Sequence, residues 1–135
     1  MREILFRGKR IDNGEWEYGG CVFTENKVCL IYNQTHSIDL QGCTVEENSV
    51  GQYTGLTDKN GKKIFENDIC RYDNGEEFKD KDRFSNYVVQ WDSVNTRYVV
   101  VDEWNCEDIL DDFFSRHAVV IGNIHDTPEL LEGKS

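Results

Sequence analysis

Asp58, Glu66 and Asp68 are the side chains in this sequence most apt for chemistry. Carboxylates this close could hold a divalent cation or divide acid and base work between them. Their spacing argues against a calcium loop, because the acids do not recur at alternate positions ahead of a closing Glu. Set among Thr57, Asn60, Gly61 and Asn67, they are expected to cap turns and face water. His36 has no second ligand at H-x-H or H-E-x-x-H spacing. His125-Asp126 has the composition of an acid–base pair, but no nucleophile or oxyanion signature accompanies it. Cysteines stand at 21, 29, 43, 70 and 106 without a C-x-x-C, so the zinc and thioredoxin patterns are missing. Cys21 and Cys29 lie among apolar neighbours and read as small hydrophobes rather than activated thiols. No G-x-x-x-x-G-K-S/T, G-x-S-x-G or G-x-G-x-x-G occurs. The expectation is no catalytic residue, no metal ligand set and no cofactor.

Two charge clusters remain. Arg2, Arg7, Lys9 and Arg10 surround the first strand and are expected to pair with nearby carboxylates rather than with nucleic acid. Residues 102–112 carry an acidic excess, including Glu107, Asp108, Asp111 and Asp112, which is either a solvated face or a patch for a basic partner. The whole chain has 26 Asp and Glu against 15 Lys and Arg, a net charge of −11, which opposes nonspecific binding to phosphate backbones. Its 135 residues suit a single domain spanning 1–135 that builds its own core. With no leader-like start and no apolar run of membrane length, reduced thiols in a bacterial cytoplasm are expected.

The elements that position these groups read as strands. Residues 3–7 and the alternating Glu15-Trp16-Glu17-Tyr18 flank Asp12-Asn13-Gly14 as a first hairpin. Gly19-Gly20 marks a bend or bulge, followed by strands over 21–23 and 27–32 around Glu25-Asn26. Short strands are expected over 37–40 and 43–45. The stretch from Gln52 to Ile69 is dense with turn formers: Gly55, then Asn60-Gly61 as a two-residue primed hairpin turn, then Asn67-Asp68 as a sharp turn between strands. Residues 73–86 form a polar excursion, either a contact loop or a solvated one. Residues 87–91 and 97–101 form the clearest hairpin, and its valine run predicts cover on both faces or a subunit contact. Ile109, Leu110, Phe113 and Phe114 share one helical face, which predicts a short helix near 106–114. A strand broken by Gly122, a helical turn near 128–131 opened by Thr127-Pro128, and a frayed tail at 132–135 complete the chain.

Three passages give the chain a family likeness. They are Ile4-Leu5-Phe6-Arg7-Gly8-Lys9 with Glu15-Trp16, then Gln52 through Gly61 with Ile64-Phe65-Glu66-Asn67-Asp68-Ile69, and finally Val120-Ile121-Gly122-Asn123-Ile124-His125 with Pro128-Glu129-Leu130-Leu131. In this order they resemble the YopX family of phage and prophage proteins. The family usually has Gly where this chain has Asn67, and Asn is the next-best residue for left-handed backbone. The resemblance implies a phage-derived, mainly β protein whose bent strands form a barrel-like or sandwich core. It implies no reaction, so no catalytic or binding residue is carried over.

Four functions compete. A non-enzymatic protein-interaction module, or a self-associating homo-oligomer, suits the missing catalytic constellation. An acidic inhibitor or decoy would bind a basic host or phage protein through residues 102–112. A nucleic-acid-binding barrel has the wrong charge, and an enzyme would need a deep pocket lined by Cys, His or paired carboxylates.

Overall fold

A computed structural model describes residues 3–23, 29–33, 41–79 and 82–131. The chain is mainly β, with its strands in two antiparallel sheets and no closed barrel among the described residues. It divides into two compact units, residues 1–53 and 54–135.

The first unit holds β1 (Phe6–Lys9), β2 (Trp16–Phe23), β3 (Cys29–Asn33), β4 (Gln41–Val45) and the opening residues of β5 (Gly51–Thr57). The expected first hairpin forms, with register running from Phe6↔Gly19 to Lys9↔Trp16. Its turn works because Gly14 takes φ +71° and Asn13 Oδ1 accepts the Glu15 N–H at 2.9 Å. β2 passes unbroken through Gly19-Gly20, and there it changes partner from β1 to β3. β1 also pairs with β5, through Arg7↔Gly51 and Phe6↔Gln52. The core is Ile31 and Val45, with Phe6, Cys21 and Val50 against them. Gly8 lies under Val45, where an added Cβ would meet Val45 Cγ2 at 2.7 Å, so no larger residue fits without a shift.

The second unit holds β6 (Lys63–Phe65), β7 (Asp68–Asp73), β8 (Phe84–Asp92), β9 (Arg97–Asp102), β10 (Glu107–Ile109), α1 (Asp112–Arg116), β11 (Ala118–Asn123) and one helical turn at Pro128–Leu131. Its sheet runs β10-β9-β8-β7-β11, antiparallel throughout. The valine-rich hairpin is covered on both faces, the first of the two arrangements its sequence allows. Val89 and Val100 join Cys70, Ile64, Leu110, Phe114, Ala118 and Val120 in one cluster, whereas Val88, Val99 and Val101 pack with Ile124 and Leu131 in another. The alternation of strand side chains sends neighbouring valines to opposite sides. Of the polar excursion expected over 73–86, Asp73 and residues 84–86 lie in the paired strands β7 and β8, and the loop between them is tied by Arg83 to Asp73 at 3.2 Å. The interruption at Gly122 is a bulge, with a register shift between Val120 and Gly122.

Two expectations need correction. Residues 106–114 do not form one helix: 107–109 pair with β9 as an edge strand, and the helix is confined to Asp112–Arg116. Asp111 starts that helix by accepting the Phe114 N–H at 2.9 Å. Leu110 and Phe114 are buried as the helical pattern predicts, but Ile109 and Phe113 are exposed, so the apolar stripe is half as wide as it reads. Asn60-Gly61 is not a two-residue primed turn either. Gly61 takes φ +84° while Asn60 does not take positive φ, and the loop closes from Asp58 to Lys62, with Gly61 N–H donating to Asp58 O. This is a turn ending in a left-handed glycine, the longer hairpin connection. The readings for Glu25-Asn26, His36, residues 37–40, Asp80, Lys81 and the tail at 132–135 lie outside the described residues.

Candidate functional site

Asp58 is 5% exposed and Asp68 1% exposed, so neither faces water as expected. Both nevertheless serve turns. Asp58 Oδ1 accepts the N–H groups of Asn60 (2.8 Å) and Lys62 (2.9 Å), and its Oδ2 accepts the Val120 N–H at 2.9 Å. Lys59 N–H donates to Ala118 O alongside, so the loop completes the outer edge of β11 where a further strand would otherwise bond. Asp68 Oδ2 accepts the Phe65 N–H at 2.8 Å and closes the turn from β6 to β7. Asn67, between them, has φ +72°. Glu66 is half-buried, and no three-residue His, Cys, Asp and Glu group suited to a metal occurs among the described residues. Asp58 and Asp68 organise backbone.

The other sequence candidates resolve similarly. Asn123 Oδ1 accepts the N–H groups of His125 and Asp126, and Asn123 Nδ2 donates to Asp126 Oδ2 at 3.1 Å, so His125-Asp126 belongs to a tight turn. Arg10 binds Asp12 at 2.7 Å and Glu17 at 3.1 Å, and Arg7 is buried with its guanidinium 4.7 Å from the Trp16 ring centre. Cys70 is buried, and burial pushes its thiol well above the ordinary range, with Asp68 and Asp58 adding to the effect. That is the opposite of activation. Cys21 and Cys43 are half-buried and Cys106 is exposed.

The acidic segment 102–112 is where structure adds most. Asp102 Oδ1 accepts the N–H groups of Trp104 and Cys106, folding the β9–β10 loop, in which Asn105 takes φ +65°. Apolar side chains stand outward here and just beyond: Trp104 is 67% exposed, Ile109 45% and Phe113 60%. Ile109 and Phe113 also border a cavity of about 310 Å³, whose other lining residues are Tyr72, Asn74, Tyr87, Asp108, Asp111 and Phe114. Phe114 stacks on Tyr72 at 5.0 Å and meets Tyr87 edge-on at 5.3 Å. His117 lies over Phe113 at 4.6 Å, with Nδ1 2.8 Å from Phe113 O. Burial raises the phenol of Tyr72 above its usual range, and Asp108 and Asp111 raise it further. Tyr87 is shifted the same way by burial, then by Asp102 and Asp108. Both phenols thus remain neutral in a locally negative field. The sequence placed the acids; it held no sign that rings from β7, β8 and α1 converge beside them. A second hollow of about 320 Å³, lined by Arg10, Ile11, Asp12, Cys43 and Thr44 in the first unit, carries no comparable set of groups.

A family model described as YopX protein matches residues 5–132. The chain belongs to the YopX family. A crystal structure of protein EF1440 from Enterococcus faecalis is similar to this YopX-family chain at 25% identity, over 98% of this chain and 100% of that one, with a TM-score of 0.60. No curated protein gives a significant match. Three turn formers of the central passage that carries the family likeness take positive φ: Gly55, Gly61 and Asn67. No helix among the described residues is long and apolar enough to cross a membrane.

Proposed function

We propose that this YopX-family chain is a non-enzymatic protein-interaction module that engages a basic partner through the face formed by residues 102–113. One observation carries the reading: Trp104, Ile109 and Phe113 are exposed within a short segment that also presents Glu107, Asp108, Asp111 and Asp112. Exposed aromatic side chains supply contact area, and surrounding acids steer a positively charged surface and reject a negative one. In this reading the partner is a basic protein of a bacterial host or its phage, met in the cytoplasm, and the chain acts as an acidic inhibitor or decoy. Homo-oligomerisation through the same face is disfavoured, because a two-fold contact would set these acids against their own copies. Nucleic acid is disfavoured by the net charge of −11.

The test is capture from bacterial lysate by the immobilised full chain and by its Trp104→Ser/Phe113→Ser variant, at low and high salt. The expected result is a basic protein held at low salt, released at high salt and missed by the variant. Capture indifferent to both salt and substitution, or no capture, counts against the reading. Light scattering at high concentration checks the oligomer arm, with a monomer expected.

A further inference from the structure

We propose that the cavity lined by Tyr72, Tyr87, Asp108, Asp111, Phe113 and Phe114 receives one arginine side chain of the partner. This rests on the interaction reading above and names what the partner must present.

The cavity walls decide the occupant. Four of the eight lining residues are aromatic, and the faces of such rings attract cations. The two charged lining residues are both carboxylates, and no Lys or Arg lines the space. Each carboxylate is half used: Asp108 Oδ1 accepts the Ile109 N–H at 2.8 Å and Asp111 Oδ1 accepts the Phe114 N–H at 2.9 Å. Neither Oδ2 accepts a hydrogen bond from a described residue. The neighbouring Asp112 is already paired with Arg116 at 2.8 Å, so that local cation is committed outside the cavity. A space of about 310 Å³ is at the small end of ligand pockets, which run from roughly 300 Å³ upward, and suits a side chain better than a cofactor. Among cations, a guanidinium fits these walls best. It is planar, lies flat on aromatic rings, sheds its hydration more readily than an ammonium, and forks donors to carboxylate oxygens.

One wall of the cavity belongs to the packed core. Phe114 is buried in the core with Leu110, and Tyr72 and Tyr87 stand on the paired strands β7 and β8. The pocket therefore exists before a partner arrives, which lowers the ordering cost of binding.

The test titrates the full chain with acetyl-glycyl-arginyl-glycinamide, its citrulline counterpart and its lysine counterpart, followed by amide chemical shifts. The arginine peptide is expected to bind saturably, with shifts centred on residues 72, 87 and 108–114, at least tenfold more tightly than the citrulline peptide and several-fold more tightly than the lysine peptide. Asp108→Asn/Asp111→Asn keeps the hydrogen-bond acceptors and the helix cap while removing both charges, and is expected to lose at least tenfold in affinity with unchanged thermal stability. Equal binding of arginine and citrulline, no saturable arginine binding, or shifts centred elsewhere overturns the proposal; equal binding of lysine overturns the choice of guanidinium. A lysate partner lost by Trp104→Ser/Phe113→Ser but retained by Asp108→Asn/Asp111→Asn would leave the contact face standing and remove the arginine pocket.

Discussion

Replacing Asp58 by alanine probes the device on which the second unit's sheet edge depends. Three backbone amides lose their acceptor: those of Asn60, Lys62 and Val120. The Val120 bond is buried, and an orphaned buried donor costs about 1–3 kcal/mol. The Asn60 and Lys62 amides belong to an exposed turn where water can substitute, at about 0.5–1 kcal/mol each. Deleting the buried carboxylate also relieves its desolvation, which offsets part of the loss. The net expectation is about 3 kcal/mol of destabilisation, a large share of the roughly 5–15 kcal/mol that holds a domain folded. Asp58→Asn retains one acceptor oxygen but turns an NH₂ group toward amides that also donate, so it should fall between wild type and alanine, at about 2 kcal/mol. Urea unfolding with a common m-value measures both variants, and hydrogen exchange at the Val120 amide reports the edge directly. An alanine variant within about 1 kcal/mol of wild type, or a Val120 amide exchanging as slowly as before, would refute the edge-closing role.

Two further predictions follow from backbone and burial. Asn67 sits at φ +72°, so Asn67→Gly is expected to leave stability within about 0.5 kcal/mol, whereas Asn67→Ala should cost about 1 kcal/mol; equal stabilities in chemical denaturation would contradict the strain argument. Tyr72 and Tyr87 have raised pKa values, caused first by burial. In the unfolded chain both titrate near 10, so above about pH 10 that chain releases protons which the folded one keeps, and stability falls as pH rises through the folded values. Stability measured across alkaline pH should therefore decline less steeply in Tyr72→Phe/Tyr87→Phe than in wild type; parallel curves would remove the two phenols as the cause.

Local signals carried much of the strand layout. Asp12-Asn13-Gly14, Asn67 and the Tyr87–Trp91 and Arg97–Val101 segments announce their turns and hairpins, because turn chemistry and strand alternation act over a few residues. The helix near 106–114 misled for the converse reason. Its apolar spacing is genuine, but residues 107–109 bond to β9, and a strand partner outweighs a weak local helical preference. The site was less legible than the fold. The acids of 102–112 are visible in the sequence, whereas the rings of Tyr72, Tyr87 and Phe114 meet only after three separated segments pack.

Most turns and strands follow from the chain's local residues, because glycines, Asn67 at positive φ and alternating apolar residues act on their immediate neighbours; residues 107–109, which read as helix, are the exception. The roles of the polar side chains, by contrast, come from packing between distant segments. Asp58 reads as a solvent-facing turn residue until Val120, 62 positions away, donates to it in the interior. The acidic segment likewise reads as a solvated face until β7, β8 and α1 set aromatic walls beside it. Burial and long-range hydrogen bonding assign those roles, and neither is a property of any short stretch of chain.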